Sequence, residues 1–187
     1  MEEMQKLPCK YLITFFIVVL VCMNYSCSER QIKSKISALQ SAPIMLRVDK
    51  MVCLSDSIET AKNEYLKWIV YHDSSVCKPC QISHILDWDK IKSIKDIECI
   101  FIFSAKSQEI DEYREALKNS ETERYVYLDT AGIFPHDNPN IPHETLFHKF
   151  LIDKDNRVLL VGNPLTNKQI YEMFIKILKE KNIGINI

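Results

Sequence analysis

The sequence is poor in glycine and has no long block of like charges. Only three glycines occur in 187 residues, Gly132, Gly162 and Gly184. A loop that cradles phosphate needs several glycines close together, so the composition argues against nucleotide binding. The 24 basic and 25 acidic residues are spread along the chain and give a formal net charge of -1. This distribution provides no polycationic surface, and we expect no nucleic-acid partner.

The first residues have the pattern of an export signal. Lys6 and Lys10 precede a nearly uninterrupted apolar run, Tyr11–Met23. This run has about the length of a signal-peptide core and is short for a helix that spans a membrane. Ser26 places a small residue directly before Cys27, which resembles the cleavage site of a bacterial lipoprotein. We predict that Cys27 becomes the lipidated first residue.

This interpretation divides the chain into three parts. Residues 1–26 are predicted to be a lipoprotein-type signal peptide, residues 27–42 a polar tether that permits a short helix, and residues 43–187 one folded domain. The domain is then extracytoplasmic and lipid-anchored to a bacterial membrane facing the periplasm, with exposure at the cell surface left open. An uncleaved N-terminal anchor is the alternative, and it leaves the same domain outside the cytoplasm.

Export leaves four of the seven cysteines in the domain: Cys53, Cys77, Cys80 and Cys99. Only Cys77 and Cys80 are close in sequence. A tetrahedral zinc site would need a second pair at similar spacing, and disulfides persist outside the cytoplasm, so the pair is better explained as redox-active. Cys99 alternates with apolar residues and is predicted to be buried. Cys53 is less predictable, and pairing between Cys53 and Cys99 is left open.

The close pair forms the motif Cys77-Lys78-Pro79-Cys80, which stands between an apolar run at Trp68–Tyr71 and helical spacing at Gln81–Ile94. Two thiols are therefore predicted where a strand passes into a helix. The unsatisfied N–H groups and the macrodipole at a helix N-terminus favour the thiolate, the form that attacks disulfides. A proline is tolerated in the first helical turn, where an N–H has no intrahelical partner.

Apolar periodicity predicts alternating strands and helices along the domain. The predicted strands are 43–48, 68–72, 97–103 and 124–128, followed by a β-hairpin with arms at 147–152 and 157–161. The predicted helices are 55–67, 81–94, 107–119 and 166–181, and a loop is predicted at 129–145. The hairpin follows from two apolar runs on either side of a polar turn.

This order of elements, with three motifs in it, resembles the thioredoxin superfamily. Cys77-Lys78-Pro79-Cys80 matches the CxPC form, Asp129-Thr130-Ala131-Gly132 resembles the D-x-x-G segment, and Phe150–Val158 resembles the F-L-I-D-x-x-G-x-V hairpin of TlpA-like proteins. Together with the lipoprotein-type signal, these motifs resemble those of extracytoplasmic, membrane-tethered thiol–disulfide oxidoreductases, and more narrowly the thioredoxin-like lipoproteins of Bacteroides-type bacteria. The resemblance implies an α/β thioredoxin-like fold, with a central mixed sheet flanked by helices and an N-terminal extension.

The resemblance also implies a reaction and its partners. Cys77, as the first thiol of the pair, is expected to attack a disulfide of an exported protein, and Cys80 to resolve the mixed disulfide. Lys78 and Pro79 flank these thiols, and Lys78 is expected to tune partner choice or thiol ionisation. A membrane thiol reductase is the expected electron donor, and no cofactor or metal is expected.

Two positions depart from the family pattern. Phe147 stands where family members place a cis-proline that packs against the disulfide, and Pro142 is the nearest proline that precedes it. Val76 stands where thioredoxins commonly have tryptophan, and no acidic residue precedes it in the strand. Asp73 is a candidate proton acceptor, although the Asp-Ser-Ser sequence is equally typical of a turn.

Two alternative functions stay open on these grounds. The first is a non-catalytic binding lipoprotein in which Cys77–Cys80 is a structural disulfide, favoured by Phe147. The second is a metal relay, because His84 lies four residues after Cys80 on one helical stripe with both cysteines. Metal relays of this fold usually have their histidine far downstream, and His148 is the candidate for that distant ligand.

Overall fold

The structure, a computed structural model, describes residues 29–55, 66–88, 97–118, 125–181 and 183. The chain divides into two units, Met1–Ser37 and Ala38–Ile187. In the first unit, residues 29–37 are helical, with an ion pair of 2.7 Å between Lys33 and Glu29. The predicted signal peptide and Cys27 lie outside the described residues. The predicted division into signal, tether and domain therefore stays a prediction.

The described elements alternate as the sequence predicts, with a hairpin and a helix at the end. The first helix, α1, covers residues 29–40. The strands are β1 (Val52–Cys53), β2 (Leu66–His72), β3 (Ile97–Ser104), β4 (Tyr125–Asp129), β5 (Lys149–Ile152) and β6 (Val158–Val161). The other α-helices are α2 (Lys78–Asp87), α3 (Ile110–Lys118), α4 (Ile133–Asp137) and α5 (Lys168–Glu180), and short 3-10 helices cover Val48–Lys50, Ser107–Glu109 and Thr145–Phe147.

The strands form one mixed six-stranded sheet in the order β1-β4-β3-β2-β5-β6. β2, β3 and β4 are parallel to one another, whereas β5, β6 and β1 each run antiparallel to the strand they join. All seven residues of β2 are buried, as expected of a central strand covered on both faces. The predicted mixed sheet flanked by helices is confirmed.

A single apolar cluster packs three helices onto one face of the sheet. Trp68 of β2 contacts Trp88, just after α2, with ring centres 5.0 Å apart. It also meets Phe174 of α5 edge-on at 5.4 Å. The cluster includes Tyr113 and Leu117 of α3 as well. Because α2 is held to β2 through this cluster, the start of α2 has a fixed place at the sheet edge.

The predicted strand at 43–48 is wrong. Residues 43–47 have no regular structure, and a 3-10 helix follows at Val48–Lys50. The buried side chain of Asn138 accepts a hydrogen bond from the Met45 N–H at 2.8 Å and donates to the Met45 carbonyl at 3.1 Å. A side-chain amide therefore takes the place of a strand partner, which apolar spacing cannot reveal. The first strand lies later, at Val52–Cys53.

Other elements begin or end a few residues away from their predicted boundaries. Leu66 and Lys67, predicted as the end of a helix, are the first residues of β2, and most of that predicted helix lies outside the described residues. The predicted loop 129–145 contains α4. Asp129 stabilises the N-terminus of this helix, because its carboxylate accepts hydrogen bonds from the N–H groups of Ile133 at 2.9 Å and Phe134 at 2.8 Å. These bonds give the D-x-x-G segment its structural role.

The β5–β6 turn explains how the hairpin closes without a glycine. Asp153 Oδ1 accepts hydrogen bonds from the N–H groups of Asp155 and Arg157, each at 2.9 Å. Asn156 stands where the resembled motif has glycine and adopts a φ of 58°. Asparagine is among the few residues that tolerate this left-handed region. The hairpin starts at Lys149 rather than at Phe147.

Candidate active site

The motif cysteines lie at the carboxyl edge of the parallel strands. β2 ends at His72, a loop covers Asp73–Val76, and α2 begins at Lys78. Cys77 therefore directly precedes the first helical turn, as predicted. In sheets of this type, ligand sites lie outside the carboxyl ends of the strands.

Cys77 and Cys80 form a disulfide, with their Cα atoms 5.3 Å apart. Both residues are exposed. The backbones of Lys78 and Pro79 form the first turn of α2. Their side chains, and that of His84, lie outside the described part of the chain. The roles predicted for these three side chains therefore stay predictions.

The loop before Cys77 is organised by Asp73. Its Oδ1 accepts hydrogen bonds from the Ser75 N–H at 3.0 Å and the Ser75 hydroxyl at 2.5 Å. Burial raises the pKa of Asp73, but the bonds from Ser75 and the nearby His148 and His72 outweigh it and lower the pKa. A carboxylate that stays ionised is a poor proton acceptor. The geometry favours the turn interpretation of Asp73.

His148 lies on the other side of Asp73, directly before β5. Its ring is buried, 5.0 Å from the ring of Tyr71, and its Nε2 lies 2.9 Å from the Pro142 carbonyl oxygen. Its Nδ1 is 4.0 Å from Asp73 Oδ2, beyond hydrogen-bonding distance. Burial is the main cause that lowers the pKa of His148. A neutral imidazole therefore borders the loop that carries Cys77.

Phe147 is not part of the surface around the disulfide. It ends the 3-10 helix Thr145–Phe147, and only 1% of it is exposed. Pro142 does not replace the family's cis-proline, since none of the described peptide bonds is cis. The neighbour Leu146 is 55% exposed instead. The sequence prediction identified the unusual position but not which side chain there reaches the surface.

Two clefts meet at Val76. A cleft of about 630 Å³ includes Cys77 itself, together with Ser74, Gln81, Ser104, Glu109 and Tyr113. A second cleft of about 490 Å³ is lined by Val76 with Tyr71, Trp88, Leu146, Lys149 and Ile170. Cys77 therefore borders the same cleft as several polar side chains.

Gln81, the residue after the motif, was missed by the sequence prediction. It is buried, and its amide bonds to the loop before Cys77 and to Tyr113 of α3. The available signal was its spacing, because Gln81 lies four residues before Ile85 of α2 and seven before Trp88, just after the helix, and both of these residues are buried. A polar residue at such a position indicates a specific bond.

The other two domain cysteines, Cys53 and Cys99, are not in a disulfide. Cys53 is exposed on β1, and Cys99 is buried on β3, as predicted for Cys99. Among the described residues, no group of three or more His, Cys, Asp and Glu side chains is placed to hold a metal ion. The same residues contain no helix that is long and apolar enough to cross a membrane.

No protein-family model matches the chain, and no curated protein matches it. Solved structures do. A Bacteroides vulgatus protein assigned as a thiol–disulfide oxidoreductase superposes with a TM-score of 0.50 at 12% identity, covering 76% of this chain and 93% of that chain. The fold is thioredoxin-like. A protein from Chlorobium tepidum assigned as the thiol:disulfide interchange protein DsbE has a TM-score of 0.46 at 17% identity, with 68% and 93% covered.

The thioredoxin-like fold confirms what the three sequence motifs predicted about architecture. The CxPC motif follows the loop after β2 and includes the start of α2. The D-x-x-G segment runs from the last residue of β4 to the residue before α4, and the last motif forms the β5–β6 hairpin. The fold brings the hairpin beside β2, so His148, directly before β5, comes close to the motif loop. At these identities the superpositions support the fold alone.

Proposed function

We propose that this protein is a membrane-tethered thiol–disulfide oxidoreductase that acts on exported proteins through Cys77 and Cys80. One observation carries the proposal: an exposed disulfide at the start of α2, at the carboxyl edge of a thioredoxin-like sheet. The Bacteroides vulgatus protein of similar fold is itself assigned as a thiol–disulfide oxidoreductase. The tether rests on the signal pattern and Cys27, which the sequence alone provides.

The reaction begins with the reduced dithiol. The Cys77 thiolate attacks one sulfur of a substrate disulfide, forms a mixed disulfide and releases a substrate thiolate. The Cys80 thiolate then attacks the Cys77 sulfur, forms the Cys77–Cys80 disulfide and releases the second substrate thiolate. Two electrons pass to the substrate, and its two thiolates take up protons from the dithiol or solvent. A dithiol of a membrane reductase restores the reduced form by the same exchange in reverse.

The test is reduction of insulin by the full chain, followed by turbidity, with dithiothreitol as the electron source. Wild type should accelerate precipitation well above the dithiothreitol background, and Cys77→Ser and Cys80→Ser should each abolish the acceleration. Cys53→Ser, which removes an exposed thiol on β1, is the matched control and should behave as wild type. A wild-type rate no higher than that of the Cys77→Ser/Cys80→Ser double variant would refute the proposal.

A non-catalytic binding protein with a structural disulfide is the second candidate. It is favoured by Phe147, which is buried where related proteins present a proline to their substrates. The reduction potential separates the two candidates. A structural disulfide of an exported protein has a potential below about −300 mV, whereas exchange-active pairs in this fold lie above that value. Equilibration of Cys77–Cys80 against glutathione and dithiothreitol buffers measures it.

A further inference from the structure

The inference concerns Gln81 and Tyr113, two buried polar side chains beside the motif. Gln81 follows Cys80 in α2 and is 1% exposed, and Tyr113 on α3 is 2% exposed. Both line the cleft that contains Cys77. A buried amide costs free energy unless its donors and acceptor are bonded, so its partners show what holds it there.

The bonds of Gln81 run to the loop before Cys77 and to α3. Its Nε2 donates to the carbonyl of Val76 at 3.0 Å, and lies 3.5 Å from the carbonyl of Asp73. Its Oε1 accepts from the Tyr113 hydroxyl at 2.6 Å in a buried contact. The amide has two N–H groups and one carbonyl, so these contacts engage all of them. The loop is thus tied through Gln81 to a separate helix.

Tyr113 fixes the far end of this connection. Its ring packs against Phe103 of β3, with ring centres 5.9 Å apart, inside the main apolar cluster. The hydroxyl therefore has a defined position before it meets Gln81. Because the Tyr113 hydroxyl occupies Oε1, the amide is oriented with its N–H groups toward the loop.

The carbonyl that Gln81 holds belongs to the residue directly before Cys77. A carbonyl oxygen is the negative end of the peptide dipole, and it disfavours a thiolate when it turns toward the sulfur. The thiolate form instead gains from the free N–H groups at the start of α2. A bond from Gln81 that keeps the Val76 carbonyl engaged leaves those N–H groups as the dominant influence on Cys77.

We propose that Gln81 and Tyr113 form a positioning pair that holds the loop before Cys77 and thereby keeps the Cys77 thiol readily ionised. Neither residue reacts, and each acts through the peptide group between Val76 and Cys77. The inference rests on the proposed function only in taking Cys77 as the attacking thiol. It adds to that function two residues outside the CxxC motif that set its reactivity.

The test measures how fast Cys77 of the reduced full chain is alkylated by iodoacetamide as a function of pH, with mass spectrometry of the peptide that contains Cys77. Tyr113→Phe removes only the hydroxyl, and Gln81→Met keeps the side-chain length but removes every hydrogen bond. Both should move the profile to higher pH. At pH values below the midpoint of the profile, the alkylation rate of Cys77 should fall about two- to tenfold, the factor that corresponds to the free energy of one net hydrogen bond.

Two controls make the result specific. Glu115→Gln changes an exposed side chain on the same helix as Tyr113 and should leave the profile at its wild-type position. The Tyr113→Phe/Gln81→Met double variant should shift no further than Gln81→Met alone, because the two side chains act as one unit. Additive shifts would contradict the pairing.

An unchanged profile in either variant that melts as wild type does would overturn the inference. If Gln81→Met fails to fold, Tyr113→Phe decides the outcome, since it removes a single oxygen atom. The profile requires no turnover, so it is independent of the insulin assay. If the wild type does not reduce insulin but the two variants shift the alkylation profile, the proposed function is refuted and the positioning pair is supported. If the wild type reduces insulin but the variants leave the profile unchanged, the positioning pair is refuted and the proposed function is supported.

Discussion

Asp73 Oδ2 and His148 Nδ1 face each other at 4.0 Å, one on the loop before the disulfide and the other directly before β5. Tyr71 and the Pro142 carbonyl border the same imidazole. The two segments are distant in sequence and meet because β5 pairs with β2. His148, a titratable residue, therefore lies where the motif loop meets the segment before the hairpin.

This contact predicts a loss of stability in mild acid. Burial lowers the pKa of His148 in the folded protein, so the unfolded chain binds this proton more readily. The contribution to stability is complete above the ordinary pKa of about 6.5 and is lost as the pH falls from there toward the lowered pKa. Urea unfolding between about pH 7.5 and about pH 5.5 should show a decline of up to about 1.4 kcal/mol per pH unit from this group.

His148→Gln should reduce that decline, because glutamine does not titrate and its amide can still donate to the Pro142 carbonyl. Lys154→Gln, at an exposed position in the β5–β6 turn, is the control and should decline as wild type does. Equal pH dependence in wild type and His148→Gln would show that protonation of His148 is not coupled to unfolding.

Trapping of the mixed disulfide tests whether Cys77 attacks the substrate and Cys80 resolves the adduct. Cys80→Ser removes the thiol that resolves the mixed disulfide, so the variant should remain bound to its substrate through Cys77. Cys77→Ser should trap little or nothing with the same substrate. Non-reducing electrophoresis after mixing the reduced variants with oxidised insulin reports the adduct. Trapping by Cys77→Ser instead of Cys80→Ser would reverse the two roles.

The two cysteines outside the disulfide, Cys53 and Cys99, should differ sharply in accessibility. Cys53 is exposed on the edge strand β1, whereas Cys99 is 2% exposed in the apolar cluster. Iodoacetamide should label Cys53 of the oxidised native protein and leave Cys99 unlabelled until urea unfolds the domain. Mass spectrometry of the two cysteine peptides measures this. Rapid labelling of Cys99 under native conditions would contradict its placement in β3.

The contact between Trp68 and Phe174 predicts the cost of removing the anchor of α5. Phe174→Ala deletes a ring that is 1% exposed and should lower the free energy of unfolding by about 3–5 kcal/mol. Met173→Ala, at the adjacent position where 55% of the residue is exposed, should change it by no more than about 0.5 kcal/mol. Urea unfolding followed by tryptophan fluorescence measures both. A cost below that of Met173→Ala would argue against the packing.

Elements whose apolar pattern matches their burial were predictable from the sequence. The run Ile97–Phe103 became β3, and the apolar spacing in 166–181 became α5 at Lys168–Glu180. The strand predicted at 43–48 is not formed, although its sequence is typical of a strand, because the side chain of Asn138 binds the Met45 backbone. Local sequence does not encode a side chain that arrives from a distant loop.

In the candidate site too, features set by residues close in sequence were predicted, and contacts between distant residues were not. The disulfide and its position before α2 follow from spacing within four residues and were predicted. The contacts that surround it join residues far apart in sequence, such as Gln81 with Tyr113 and Asp73 with His148. Phe147 illustrates the limit, since the sequence identified an unusual residue at that position, and only the structure places its side chain in the core.

The pairing of β2 with β5 has a consequence for how the chain reaches its folded state. β2 is formed by residues 66–72, but one of its two neighbours lies at Lys149–Ile152. Until that segment has left the ribosome, one edge of the central strand has no partner, and the apolar cluster lacks Leu151, Leu160, Phe174 and Leu178. Loop closure over such a separation is slow, and the entropy it costs is recovered only when these late contacts form. The nascent chain should therefore reach its folded state only late in its synthesis.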